Sequence, residues 1–497
     1  SVDNDFARRV PRVRMSRRRE RGVQAVAAGV AGVAGSYAVG GFTPGFVPAT
    51  VATAITRHSP DAVIRFAITV LGDLGRQLAV VAGFFLAVAL FAGIAGGALA
   101  VGRQLGAEPL AVPLAGGGVF AVATALGSGS SAALAAAVAS LLPLAVPPLA
   151  ARVPSERVSP ARRRTLGTVG SALATVWVGI ESGVLQGPAL PSRAVSDPAV
   201  RDRLDEAEAK SLDVSGLEPL VSTDFYRVDA SIAAPQTTRG EWSLSVTGEV
   251  EEELDLGFAT VTEMDNEERF VTLRCVGDGL DDEKMDTALW TVVPVSEILD
   301  RAGVTDAASH VMLRAADDYY QEFPVEVLES AVLAYRMNGR PLPRGHGFPV
   351  RALVPGHWGE INVKWLEEIE ILDREAEGYW EKRGWHGTGP VHTVAKIETT
   401  SRESGTRTVA GHAYAGTRGV SAVEVSVDGG ETWNEATLSE PLPGEDVWRQ
   451  WAFEYEPSGS HEVVARAREA DGTLQPQKRT EPYPSGATGW DSETISN

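Results

Sequence analysis

Three runs without a charged residue constrain this chain more than anything else in its 497 residues: 22–41, 77–102 and 109–151, of 20, 26 and 43 residues. A helix that crosses a bilayer needs about 20 predominantly apolar residues. The third run has room for two crossings, with Gly127-Ser128-Gly129-Ser130-Ser131 as the turn between them. A shorter run at 165–180, extended past Glu181 by 183–190, makes a fifth. The sequence therefore predicts an all-α membrane module of five transmembrane helices over 1–190, rich in the Ala and Gly that let helices approach closely. Eight arginines precede the first run, Arg103 follows the second, and Arg152, Arg157, Arg162, Arg163 and Arg164 lie between the fourth and fifth. Five spans bring all of these to one side, which the positive-inside rule makes cytoplasmic. The expectation is a multi-pass protein of the cell membrane whose remaining portion is extracytoplasmic. The long loop after the first span is expected to carry an amphipathic helix over 61–76. A cleaved signal peptide also suits the first arginines and the first run, but leaves the later runs unexplained. His58 is the only histidine before His310, so paired axial ligands for a haem are missing and the module reads as an anchor.

Charge divides the chain again. Before position 191 stand 17 Arg, no Lys and 8 carboxylates, whereas the remainder sets 28 cations against 57 carboxylates. An acidic globule repels nucleic acid, which excludes that partner class, and dense carboxylates suit a halophilic setting. The polar segment 191–217 reads as a linker with a short exposed helix at 202–210. Period-two alternation over 242–248 predicts a strand, as do 270–273, 311–316 and the run into the Asn338-Gly339 turn. After 391, strands expected at 397–399, 409–414, 423–427, 451–454 and 462–467, with Asp428-Gly429-Gly430 as a hairpin-type turn, predict a small sandwich. Its core would include Val423, Val425, Val427, Trp433 and Trp451.

Cys275 is the only cysteine. A lone thiol excludes an internal disulfide, a thiolate metal cluster and a CxxCH haem attachment. It leaves two readings, a small buried hydrophobe or a reactive thiolate and metal ligand. From Leu333 the chain reads LAYRMNGRPLPRGHGFPVRALVPGHWGEINVKWLEEIEI. This stretch, together with Cys275 at the end of a strand, resembles the molybdenum-cofactor domain of the sulfite oxidase family. The resemblance implies a mixed α+β molybdopterin domain over 218–390 and an immunoglobulin-like dimerisation-type domain over 391–497, where 423–433 matches the family's "VEVSxDGGxTW" run. A homodimer is implied on the same ground. Cys275 would ligate molybdenum. In the family's "FxRNH" stretch Phe225 and Arg227 match, Val228 and Asp229 replace Asn and His, and Phe225, Tyr226, Arg227 and Asp229 would face the pterin, with Arg227 reaching the active site. Asp317, with Asp318 as its neighbouring competitor, would lie near the pterin. His346 and Arg351 would grip its phosphate and edge, and Asn362, Val363 and Lys364 would add backbone and side-chain contacts. The implied activity is a two-electron oxo transfer, with an unidentified electron-transfer partner. No haem, flavin or iron–sulfur site is supported.

Several positions depart from sulfite oxidation. Leu280 stands where the family oxidases carry a second pocket arginine, Trp385 where they carry a tyrosine, and Gly359-Glu360-Ile361 where they read "GAR". No Arg follows Arg479. A dianion in a desolvated site needs those charges. The expected small-molecule substrate is therefore a sulfoxide, an N-oxide or another oxo-acceptor or donor. The alternatives are a sulfite oxidase proper, or a non-catalytic membrane-anchored binding or assembly protein that keeps the fold.

Overall fold

The computed structural model describes residues 17–67, 71, 73–150, 195, 197–403, 405–457 and 459–496. The chain separates into two compact units, one over 1–67 and 71–189 and the other almost wholly from 190 onward.

The described part of the first unit is helical: Arg17–Gly40, Val47–His58, Asp61–Phe66, Asp73–Gln104, Ala111–Ala125 and Ser130–Ala150. Three stretches, Arg19–Gly40, Leu74–Gln104 and Glu108–Ala125, are long and apolar enough to cross a membrane. The run at 109–151 does divide in two, at a turn where Gly127 takes φ +90°. The expected fifth span, at 165–190, lies outside the described residues. Helix Arg17–Gly40 is packed into the bundle through its glycines. A methyl group on Gly29 would meet the Val88 carbonyl at 2.4 Å, and one on Gly35 the Ala135 carbonyl at 2.6 Å. Phe85, Leu86, Leu134 and Val138 are more than half exposed. In place of a single amphipathic helix at 61–76, the structure has Val47–His58, the short Asp61–Phe66 and the start of the long helix at Asp73. Val47–His58 starts on Pro48 at its first turn, where a missing N–H is harmless, and buries Val47, Ala49 and Ala52.

The second unit begins with a correction. The helix expected as part of an exposed linker runs over Pro198–Lys210, capped by Asp197, and it buries Val200 and Ala207 in the globule. Lys210 Nζ donates to the Pro441 carbonyl at 3.0 Å and the Leu212 amide to Gln450 Oε1 at 2.7 Å. The molybdopterin-type region then builds two five-stranded sheets. In the first, strands run in the order Leu254–Gly257, Ser243–Gly248, Leu366–Leu372, His310–Ala315 and Tyr320–Pro324, with one parallel pair in the middle. The second joins Glu267–Arg274, Met285–Pro294, Val332–Met337 and Arg340–Pro341, with Arg351–Leu353 beside Val332–Met337. Met285–Pro294 is buried along nearly its whole length. Both its faces are covered, so its sequence shows no alternation.

The last region is the expected sandwich. One sheet is centred on Thr406–Tyr414 and Arg449–Tyr455, the other on Val420–Ser426 and His461–Glu469. Val409, Val423, Val425, Trp451, Val463 and Ala465 fill the space between them. Trp433 differs from expectation: it is half-buried at the surface, where the Arg466 guanidinium lies 3.6 Å from its ring centroid.

Candidate active site

Strand Glu267–Arg274 ends by handing the chain to a tight loop. The Cys275 amide donates to the Lys284 carbonyl and the Asp278 amide to the Cys275 carbonyl, both at 3.0 Å. Asp278 is the loop's anchor: its buried carboxylate takes Arg274 Nε at 2.9 Å, Lys396 Nζ at 3.0 Å and the Lys284 amide at 3.0 Å. Arg274, also fully buried, lies over the Trp358 ring at 5.0 Å. The thiol of Cys275 opens into a cavity of about 860 Å³ out to its mouth. Burial pushes the thiol up to about 11. A metal ion would displace that proton on binding.

One wall of the cavity is cationic. His346 follows a 3-10 turn at Arg344–His346, and Gly347 at φ +107° turns the chain towards strand Arg351–Leu353. A side chain at Gly347 would run into the Cβ atoms of Arg351 and Lys364. Arg351 is almost fully buried. It donates to the His346 carbonyl at 3.3 Å and the Asn362 carbonyl at 3.0 Å, and its Nε has no acceptor among the described residues. Burial brings its guanidinium down to about 10, and brings His346 down to about 3 with Arg351 and Lys364 adding to the effect. His346 is therefore a neutral donor and acceptor. Lys364 Nζ reaches Asp229, the Val228 carbonyl at 2.8 Å and the Gly345 carbonyl at 3.3 Å. Burial alone would raise Asp229, but Lys364 and Arg227 hold it below the usual carboxylate range. Trp365, next to Lys364, is held at φ +52° with its indole N–H on the Arg344 carbonyl. Such a backbone is strained for a non-glycine residue.

The expected site residues fall into groups. Phe225, Tyr226, Cys275, Asp317, His346, Arg351, Asn362 and Lys364 all line the cavity. Asp317 is held by the Tyr319 amide at 3.2 Å and pushed up by burial, while Asp318 is exposed. Arg227 is not on the cavity wall. Its guanidinium pairs with Asp229 at 2.5 Å and lies against Gly345. Asp229 serves this ion cluster and is itself off the wall. Val363 is buried behind the wall, its carbonyl taking the Ala352 amide at 2.8 Å. The Asn362 side chain holds its own loop, accepting from the Val354 amide at 2.7 Å and donating to the Trp358 carbonyl at 2.9 Å. Tyr319, Glu360, Trp380 and Trp385 line the cavity as well. Tyr319 carried no sequence signal, lying in a Tyr-Tyr pair at a strand entrance.

The donor set fits a molybdenum cofactor. The wall offers one soft sulfur ligand, a buried guanidinium whose Nε has no acceptor among the described residues, and the Lys364 ammonium with neutral His346 beside it, donors suited to a phosphate. Bound there, the cofactor would supply two-electron oxo-transfer chemistry. Arg351, His346 and Lys364 would hold its anionic end and Cys275 its metal. Tyr226 and Gly359 shape the floor: a side chain at Gly359 would meet Tyr226 Oη at 2.8 Å and Cys275 Cα at 3.6 Å.

Comparisons with known proteins find the same kind of domains. Residues 231–380 match the family described as oxidoreductase molybdopterin binding domain, and 389–483 the Mo-co oxidoreductase dimerisation domain. Fold and site thus define a molybdopterin-binding oxidoreductase region followed by a dimerisation domain. Mitochondrial sulfite oxidase of Mus musculus is 32% identical over 230 residues, 38% of this chain and 42% of that protein. Nitrate reductase [NAD(P)H] of Hordeum vulgare is 29% identical over 323 residues, 50% of this chain and 36% of that protein. The solved sulfane dehydrogenase SoxCD of Paracoccus pantotrophus superposes with a TM-score of 0.49 at 18% identity, over 62% of this chain and 92% of its own. The part of the chain after 230 belongs to the sulfite oxidase family of molybdenum-cofactor proteins. The chain spans less than half the length of the curated relatives it matches.

Proposed function

We propose that this protein is a membrane-anchored molybdenum-cofactor oxidoreductase that moves an oxygen atom to or from a small neutral oxide, such as a sulfoxide or N-oxide. One observation carries the substrate class: the cations of the Cys275 cavity are Arg351 and Lys364, beside a neutral His346, and Trp380, Trp385, Tyr319 and Val276 are among the residues that line it elsewhere, with Asp317 and Glu360. Arg227, the pocket arginine kept in sequence, is neutralised by Asp229. A doubly charged sulfite would meet little compensating charge beside the metal. The arginine distribution supports an extracytoplasmic catalytic region, the dimerisation domain a homodimer, and the electrons would pass to a separate carrier.

The test is metal and pterin content of the full chain, purified in detergent from cells with cofactor synthesis intact. About one molybdenum per chain is expected, and almost none in Cys275→Ser. Loaded enzyme should then turn over dimethyl sulfoxide or trimethylamine N-oxide in preference to sulfite. A folded, metal-free wild type would sink the enzyme reading in favour of a binding protein, and a preference for sulfite would sink the substrate class.

A further inference from the structure

One hydroxyl on the cavity wall has no partner. Tyr226 lines the cavity, and its hydrogen bond among the described residues is made by its backbone, whose amide donates to Asp286 Oδ2 at 2.5 Å. Its phenol oxygen makes none, although the side chain is half-buried and stands on the wall. The other acidic, basic, amide and hydroxyl groups of the wall are occupied. Asp317 takes the Tyr319 amide at 3.2 Å, and the Tyr319 hydroxyl donates to the Glu360 carbonyl at 2.8 Å. Both side-chain oxygens of Glu360 are sealed from the cavity. Asn362 ties down its own loop, and Arg351, His346 and Lys364 stand at the end suited to a phosphate.

The phenol stands at the cysteine end. A methyl group on Gly359 would lie 2.8 Å from Tyr226 Oη, 3.3 Å from the Arg274 carbonyl and 3.6 Å from Cys275 Cα. Hydroxyl and cysteine backbone thus approach each other across a single glycine. Burial, and after it the Cys275 charge, raise the phenol well above its ordinary value, which was already high enough to keep its proton at neutral pH. The ring is fixed in place. It stacks on Phe225 at 5.5 Å and 17°, and Phe225 meets Trp290 and His346 edge-on, each at 5.6 Å. Asp286, which anchors the Tyr226 amide, is 3% exposed on strand Met285–Pro294. A donor held on so rigid a frame loses little freedom when its acceptor arrives.

We propose that Tyr226 is a substrate-binding residue of this cavity, its hydroxyl donating a hydrogen bond beside Cys275 to the oxygen of a dipolar S–O or N–O substrate. This rests on the oxo-transfer reading above and adds to it the side chain that receives the substrate. It also moves Tyr226 from the pterin, where the family resemblance puts it, to the substrate. A sulfoxide or N-oxide oxygen is a strong acceptor with no net charge, and a phenol is a donor with none. Their meeting buries no unpaired charge, and it satisfies a hydroxyl that is otherwise left open in a largely apolar part of the wall.

The experiment uses the full chain in detergent, loaded with cofactor, and the variants Tyr226→Phe, Gly359→Ala and Trp385→Phe. Molybdenum and pterin content is read first. Tyr226→Phe should keep it, and a several-fold loss would make Tyr226 a cofactor contact and overturn the proposal. Without reductant, the infrared S–O stretch of bound dimethyl sulfoxide should lie at lower frequency in wild type than in Tyr226→Phe, and the variant should bind it about three- to tenfold more weakly. With reductant, KM should rise by a similar factor. Gly359→Ala, which crowds the hydroxyl without removing it, should weaken binding in the same direction. Equal stretch and affinity in wild type and Tyr226→Phe would overturn the proposal, as would an effect confined to Trp385→Phe, whose indole is the rival donor on this wall. If loaded wild type neither binds nor turns over an oxide, the oxo-transfer reading fails and takes this proposal with it. If wild type turns oxides over and Tyr226→Phe matches it throughout, the assignment of Tyr226 fails alone.

Discussion

Replacing Lys396 by Met tests whether the sandwich domain holds the cysteine loop in place. Lys396 comes from the dimerisation-type region, is 3% exposed, and puts its ammonium on both oxygens of Asp278 at 3.0 and 3.2 Å and on the Asp282 carbonyl. Asp278 lies three residues beyond Cys275 and is fully buried. Met fills the same volume but leaves the Asp278 charge with Arg274 as its one cation. Removing one partner of a buried ion pair typically destabilises by about 3–5 kcal/mol, because the other charge stays buried. For a globule of this size that is a fall in Tm of roughly 10 °C. Urea or thermal unfolding of the full chain, followed by tryptophan fluorescence, reads it; Trp358 and Trp448 sit in the cluster that joins the two regions. The double variant Lys396→Met, Asp278→Asn should be less destabilised than the two single effects added together, since removing both charges removes the desolvation problem. A loss below about 1 kcal/mol for Lys396→Met, or strict additivity, would show that the network does not couple the regions.

Two further outcomes follow from the same coordinates. Asp446 is almost fully buried, accepts from the Tyr414 hydroxyl at 2.5 Å, and is raised by burial to about 7. A carboxyl raised on folding contributes stability that is complete below its unfolded value near 4 and is lost as pH rises through 7. Unfolding free energy should therefore fall by about 3 kcal/mol from this group between pH 5 and 8; Asp446→Asn should flatten that part of the profile, and an unchanged slope would refute the assignment. Arg351→Met should cut molybdenum and pterin content at least about tenfold, since it removes a buried cation aimed at the cofactor's anionic end, and undiminished cofactor content would show that Arg351 does not hold it.

What could be read from the sequence was whatever is encoded locally. The long uncharged runs gave helices because length without charge is itself the criterion, and the stretch around His346 and Arg351 carried its own pattern. Long-range contacts were not legible. Helix Pro198–Lys210 has only a few apolar residues among many charges, so it looked exposed, and only the distant surface that receives Val200 and Ala207 makes it part of the core. Val47–His58 is short and ends in Arg57-His58, so neither its length nor its charge marks it as an element in the sequence. Asp229 looked like a weakened pterin contact. In the structure it is the carboxylate that joins Arg227 to Lys364, a role that depends on a lysine 135 residues away. The Asn362 side chain also ties down its own loop, through the Val354 amide and the Trp358 carbonyl, while the residue lines the cavity.

The departures from sulfite oxidation can also be judged as a set. Taken one at a time, Leu280 for an arginine and Trp385 for a tyrosine are compatible with decay of a pocket no longer used. Their positions argue otherwise. Leu280, Val276 and Trp385 belong to one buried apolar cluster, with Trp380 and Tyr483 packed against it. Trp385 meets Tyr483 edge-on at 5.2 Å and Trp380 at 6.5 Å between centroids, the geometry aromatic pairs prefer. Val276, Trp380 and Trp385 then emerge on the cavity wall. Here the positions where charge was expected are filled jointly by hydrophobic and aromatic groups. A wall packed in this way supports the proposal of a neutral, weakly hydrated substrate, because such a substrate loses little on leaving water for it.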